Sequence, residues 1–167
     1  MRTLKFHYFR HWSVLEPNDL DKGDFNLRPD GMTQFTWREG KCLVWDATCV
    51  DTLCDSHVIS CRTTAGAGAE YVEKFKDRKY ESLQGRYFFV AVGVETLGSW
   101  GPSAKYLISD IGRRIAERTG EKRSTEFLMQ RIGIEIQRGN AASVRGTVDN
   151  PKTFDDSLFL LAMKNDR

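Results

Sequence analysis

An α/β domain, a small mixed sheet flanked by helices, is the fold class that the sequence predicts, and three observations carry it. Two β-favouring runs, 32–37 and 41–50, stand on either side of a short polar turn and read as a hairpin. The stretch "RYFFVAVGVET" is rich in aromatic and β-branched residues, the composition of a buried strand. Helical periodicity fills 70–84, the stretch from Pro102 to Gly120, and 124–138. The predicted order is therefore strand, strand, helix, strand, helix, helix.

Each element has a local reason. The stretch "EPNDLDKGDFNLRPDG" is dense in Pro, Asn, Asp and Gly and reads as an extended loop before the hairpin. A second loop, "SCRTTAGAGAE", leads into the charged helix 70–84. Pro102 and Ser103 suit a helix start, Ala104, Leu107, Ile108, Ile111 and Ile115 recur at helical spacing, and Gly120 closes that helix. The last helix opens at Ser124 with an incomplete capping box, and its "IGIEIQ" segment alternates in a way that also suits a strand. Beyond it the apolar run "SLFLLAM" is expected to dock as a short helix.

A chain of 167 residues suits one domain. The expected division is an N-terminal extension or loop over 1–27, the domain proper over 28–148 and a tail over 149–167. No apolar run approaches the roughly 20 residues of a membrane-spanning helix, so no membrane partner is expected. "MRTLKFHYFRHW" lacks the apolar core and cleavage site of a secretory signal, which places the protein inside the cell. A net charge of +2 does not announce a nucleic-acid partner, because phosphate binding depends on clustered Lys and Arg.

Cys42, Cys49, Cys54 and Cys61 invite a zinc site or disulfides, yet the gaps of six, four and six residues do not match the tight pairs of structural zinc sites. Reduced, mostly buried thiols are expected instead. His7 and His11 have helical ligand spacing but no companion donor nearby, and read as exposed terminal histidines.

The hairpin carries Asp30 before its first strand and Asp46 within its second. A three-residue turn, Arg38-Glu39-Gly40, would pair Trp37 with Lys41, because Gly40 can take the left-handed position that ends this loop class. Asp46 then lies opposite Met32 and Asp30 opposite Thr48, so the acids sit diagonally on one face about 7–8 Å apart. An even-numbered turn would separate them. Phe35, Trp37, Leu43, Trp45 and Ala47 take the other face for packing. Two carboxylates at that distance repel unless a cation stands between them, and Mg2+ binds carboxylate and phosphate oxygens. Alternatively, Asp30 caps a turn after Pro29 and Asp46 is a salt-bridged strand residue.

Val72, Phe75, Lys76, Lys79, Tyr80 and Leu83 form a stripe on the helix 70–84, directing Lys76 and Lys79 at the sheet. Inward lysines need partners, and the paired acids would supply them; otherwise the stems snorkel and the ammonium groups stay in water. Lys74 and Arg78 fall on the outer face.

Arg28-Pro29-Asp30, fifteen residues, Asp46-Ala47-Thr48 and a helix ending Lys79-Tyr80 together resemble the restriction-like endonuclease domain of the PD-(D/E)XK superfamily. The version resembled is the one at the C-terminus of site-specific non-LTR retrotransposon reverse transcriptases. The strings "VAVGVETLGSWGP" and "STEFLMQRIGIEIQRGNAAS" carry the resemblance further, to about residues 15–146. The resemblance implies a restriction-endonuclease-like sheet and nicking of one DNA strand at a target site, with Mg2+ or Mn2+ as cofactor. It also implies Asp30 and Asp46 as metal ligands, Lys79 as the displaced catalytic lysine, and work in the nucleus on chromosomal DNA; the helix stripe adds Lys76 as a further catalytic candidate. Thr48 stands where the superfamily usually has its lysine. Glu16 matches an acid of the superfamily's first helix or following loop, a further ligand or a solvated loop residue. Tyr80 is a further candidate, and Glu95 is an edge acid or, preferably, a plain strand-end residue. Contacts to DNA phosphates would come from Lys74, Arg78, Arg113, Arg114, Arg131, Arg138 and Arg145. The family's polymerase and zinc knuckle do not precede the domain in this sequence, which reads as an N-terminally truncated copy; the alternative function is an inactive remnant that binds nucleic acid or has no defined activity.

Overall fold

The structure, a computed structural model, describes residues 28–146, so His7, His11, Glu16 and the run "SLFLLAM" lie outside the described residues. One mixed sheet is formed by β1 (Gly31–Arg38), β2 (Lys41–Val50) and β3 (Phe88–Glu95), in the order β1-β2-β3. β1 runs antiparallel and β3 parallel to β2. The helices are α1 (Val58–Thr63), α2 (Ala67–Lys79), α3 (Pro102–Thr119) and α4 (Ser124–Arg145), with a 3-10 turn at Glu81–Leu83 after α2. The expected order is present, with two changes. Most of the stretch expected as the loop "SCRTTAGAGAE" is helical, in α1 and the start of α2. "IGIEIQ" belongs to a helix, because Leu128, Met129, Ile132 and Ile136 fall at helical spacing, the first three against the core and Ile136 buried.

Alternation along β2 builds two faces. Leu43, Trp45 and Ala47 join Trp37, Val90 and Val92 against Ala104, Leu107, Ile108 and Ile111 of α3, the main core. Val44 turns to the other side, where it packs with Tyr80 and Leu83 below α2. α4 lies on α3 and reaches the rim of this core through Leu128, Met129 and Ile132.

The hairpin turn differs from expectation. Arg38 pairs with Lys41, so the turn has two residues, and Glu39 (φ 51°) and Gly40 (φ 73°) both have the positive φ that matches strand twist. From that pair to the next regular one, Met32 with Val44, β1 takes six steps and β2 three, so irregularities in β1 absorb three extra residues. Thr33 mends the ladder there: its buried hydroxyl donates to the Phe35 carbonyl at 2.8 Å and accepts from the Leu43 N–H at 3.0 Å. The irregularity also turns Phe35 out of the expected packing face, leaving it 49% exposed. Gly31 faces Trp45, so the continued register sets Asp30 opposite Asp46 instead of Thr48.

Two buried glutamates hold the layers together. Neither α2 nor α3 has a capping side chain, since Gly66 and Gly101 occupy the N-cap positions. Glu95, at the end of β3, accepts the Gly68 N–H in the first turn of α2 at 3.0 Å. Glu73, inside α2, accepts the N–H groups of Ser103 (2.9 Å) and Ala104 (2.9 Å) in the first turn of α3, and that of Gly93 in β3 (3.1 Å). Burial pushes the Glu73 carboxyl above the usual range, and the N–H donors of Ser103, Ala104 and Gly93 pull it back. A Cβ on Gly101 would stand 2.3 Å from that carboxylate, and one on Gly93 would stand 2.5 Å from the Ala69 carbonyl. The stripe on α2 is thus rotated from expectation: Glu73 faces inward and Phe75 is 52% exposed.

The four thiols are free; Cys54 is exposed and the other three are only half-buried, less than the sequence suggested. Among the described residues no helix is long and apolar enough to cross a membrane.

Replacing Glu73 by Ala strands three backbone N–H groups in the interior and should lower unfolding free energy by about 3 kcal/mol. Glu73→Gln keeps an acceptor oxygen and should cost roughly half as much. Urea unfolding followed by circular dichroism checks both values.

Candidate active site on the hairpin face

The α2 side of β2 carries the group of residues that the sequence singles out. Asp46 is buried, 4% exposed, and points at α2, where the Lys76 ammonium forms an ion pair with its Oδ2. Glu73, Lys76 and Tyr80 stand at i, i+3 and i+7 of the chain, one face of α2 and its C-cap, so the glutamate that seats the helix also aims the lysine and tyrosine. Tyr80 is fully buried and hydrogen-bonded to Asp46. Burial, followed by the charges of Asp46 and Asp30, pushes its phenol well above the ordinary tyrosine range. Its ring packs on Phe89 at 4.7 Å between centroids.

Asp30 is exposed and stands at the mouth of this group. Its N–H donates to the Trp45 carbonyl at 3.0 Å and its Oδ2 accepts the Ala47 N–H at 2.7 Å, so the carboxylate is fastened across the backbone that presents Asp46. Lys79 extends along the outside: its Nζ is 3.4 Å from the Tyr80 hydroxyl and 4.9 Å from the ring centroid. The two acids, both lysines and Tyr80 therefore belong to one constellation. Thr48 faces Gly93 of β3 and is half-buried.

Lys76 meets the charge of Asp46. A buried carboxylate without a counter-charge costs several kcal/mol, and the ammonium removes that cost at contact distance. The donor set also suits Mg2+ or Mn2+: such ions take one or two protein carboxylates and complete their shell with water and phosphate oxygens. Asp30 and Asp46 are the residues that would hold one. Among the described residues, no three or more His, Cys, Asp or Glu side chains converge, so a closed cage is not formed there.

The expected phosphate-contacting residues are scattered over the molecule. Lys74 is paired with Glu70 at 2.6 Å on the outer side of α2, and the Arg78 Nε bonds to the Lys74 carbonyl at 3.3 Å. Arg113 and Arg114 belong to α3, on the other face of the sheet from Asp46, where both hold Asp110. Burial works to raise the Asp110 carboxyl, but the hydrogen bonds and charges of Arg113 and Arg114 outweigh it and hold it below the usual range. Arg114 further lies 3.9 Å from the Trp37 ring centroid and donates to the Trp37 carbonyl at 3.0 Å, so its place is structural. Arg138 is paired with Glu135 on α4, and Arg131 and Arg145 are exposed on the same helix. Glu95 is a strand-end residue, as preferred, but one that also accepts from Cys61 at 3.3 Å besides capping α2.

Glu73 and Asp110 escaped the sequence reading. The available signal for Glu73 was the glycine at the helix N-cap before Pro102, which calls for an acceptor from elsewhere in the chain.

Lys76→Met should lower stability by about 3 kcal/mol by leaving Asp46 buried without its ion pair, and adding Asp46→Asn should recover most of that loss. A double-mutant cycle by chemical denaturation measures the coupling. The folded state holds the Tyr80 proton more tightly than the unfolded chain, so the Tyr80 contribution to stability declines as pH rises above about 10. Tyrosinate absorbance should show a late-titrating fraction that Tyr80→Phe removes. No protein-family model, curated protein or solved structure matches the chain.

Proposed function

We propose that the chain is a Mg2+- or Mn2+-dependent DNA endonuclease of the restriction-like type, nicking a phosphodiester as in target-primed retrotransposition. The observation that carries the reading is the contact of Lys76 with Asp46 on the hairpin face to which Asp30 is also fastened. The sequence resemblance supplies the reaction class. A bound divalent ion would contribute Lewis-acid polarisation of the phosphodiester.

The chain's own residues divide the remaining work. Asp30, exposed, forms the entrance at which a phosphate group is met. Asp46, buried, has its carboxylate oriented by two donors, Lys76 and the Tyr80 hydroxyl, the latter kept neutral by its raised pKa. Lys76 holds an ammonium beside the carboxylates, where it can orient an attacking water and balance charge on the phosphate. Lys79 lies at the solvent edge of the same constellation, placed to contact the phosphate backbone without reading bases. Thr48 contributes a hydroxyl where the superfamily usually has an ammonium, so Lys76 and Lys79 take over that charge.

A second reading, an inactive retroelement-derived remnant, is favoured by one observation: the ion pair balances the Asp46 charge within the protein itself. Plasmid nicking in Mg2+ separates the two. Wild type should convert supercoiled DNA to open circles, and Asp30→Asn and Asp46→Asn should each reduce the rate by about 100-fold or more. Lys79→Ala should reduce it by roughly 10-fold and make the salt dependence of DNA binding shallower. Equal nicking by all variants points to a contaminating nuclease, and a folded wild type without nicking supports the remnant.

A further inference from the structure

β3 keeps part of its outer backbone edge open among the described residues. Toward the end of the strand that edge is taken: the Gly93 N–H donates to Glu73 at 3.1 Å, the Gly93 carbonyl accepts the Gly101 N–H at 3.0 Å, and the Glu95 N–H donates to the Ser99 carbonyl at 2.7 Å. Backbone groups alternate sides along a strand, so those of Ala91 and Phe89 point the same way as those of Gly93. No group among the described residues bonds to them on that side. Ala91 is only 1% exposed, whereas Phe89 is half-buried, so Phe89 is the rung that a further strand can reach.

Phe89 borders a hollow of about 580 Å3, the size of a ligand pocket, that is walled by Asp77 of α2 and by Ser103 and Tyr106 of α3. A helix thus stands on either side of the open edge. A second copy would have to bring its own helices into that gap, whereas one extended segment needs only the spacing between strands, about 4.8 Å. A lone strand fits where a sheet does not.

Charge decides what the segment carries. The two cations that border the hollow are engaged: Arg38 lies over the rings of Phe88 and Tyr106, 5.2 and 5.5 Å from their centroids, and Lys41 donates to the Gln84 carbonyl at 3.5 Å. Asp77 has no such partner. No cation among the described residues forms an ion pair with its carboxylate, and burial pushes that carboxyl above the usual range. Residues directly opposite one another in an antiparallel pair share a face, and the Phe89 ring turns to the α2 side, where it packs on Tyr80. A residue that exchanges both hydrogen bonds with Phe89 therefore sends its side chain toward α2, the helix that carries Asp77.

We propose that β3 takes an extended peptide segment of a partner protein as an added antiparallel strand, with a lysine or arginine opposite Phe89 reaching Asp77. Main-chain hydrogen bonds supply the affinity, and the acid selects the side chain. Asp30, Asp46, Lys76 and Lys79 do not line this groove, so it stands apart from the hairpin-face site.

Amide NMR of the isotope-labelled full chain, titrated with acetylated and amidated Thr-Val-Lys-Val-Thr, tests it. The Phe89 amide should shift saturably and exchange with solvent about 10-fold slower once the peptide saturates. Replacing the peptide's lysine by glutamate should weaken binding by about 10-fold, and N-methylation of that lysine, which deletes a main-chain donor, should do the same. Asp77→Asn should remove most of the preference for lysine over glutamate while the Phe89 amide still responds. Both peptide changes leave the protein untouched, so the test stands if the variant folds poorly. A Phe89 amide unmoved at millimolar lysine peptide, equal binding of the lysine and glutamate peptides, or undiminished binding after N-methylation overturns the proposal. Self-association of the free chain that protects the Phe89 amide assigns the edge to a second copy and overturns it equally.

Discussion

One carboxylate, that of Glu73, sets the geometry on which the molecule depends. It leaves α2, bonds to the edge of β3 at Gly93 and closes the first turn of α3 at Ser103 and Ala104. Three elements are thereby fixed to one point. The absence of side chains at Gly93 and Gly101 makes the approach possible, since a methyl group at either would collide with Ala69 or with the carboxylate. Once α2 is seated in this way, one further turn brings Lys76 over Asp46 and two bring Tyr80 beside it. The candidate chemistry therefore inherits its placement from a structural contact that takes no part in it.

The acids of the hairpin are treated unequally by their surroundings. Asp46 lies in the interior with an ammonium and a phenol on it, while Asp30 is exposed and its carboxylate accepts a backbone N–H. An interior carboxylate held by fixed donors loses little orientation freedom, and an outer one can exchange partners without disturbing the core. Such a pair suits a site that must accept and release a polyanion repeatedly. It also suits a site in which the lysine has taken over permanently, and the difference lies in turnover, not in shape.

Much of the fold was legible because apolar spacing and turn residues agree. The stripe Ala104, Leu107, Ile108 and Ile111 and the buried strand "FFVAVGVE" appear where composition puts them. The grouping of Asp30 with Asp46 was legible too, but for a partly wrong reason. An even turn would have parted the acids, and three surplus residues in β1 restore the shared face. Strand irregularities carry no periodic signature, so the shift from diagonal to opposite was not readable. Phe35 and Phe75 misled for the same reason: a period fixes which residues share a side, whereas long-range contacts at Thr33 and Glu73 decide which side is inward. Arg113 and Arg114 read as free cations because Asp110, one turn before them, shows its burial only when α3 is packed.

The surplus in β1 has a bearing on how the hairpin tolerates change in its length. Side chains swap sides with each residue of a regular strand, yet the stretch between Met32 and Arg38 takes up an odd surplus of three without parting the acids. Its irregular backbone is a buffer: changes of length are taken up there, while the regular pairs at either end keep the acid-bearing and core-bearing sides apart.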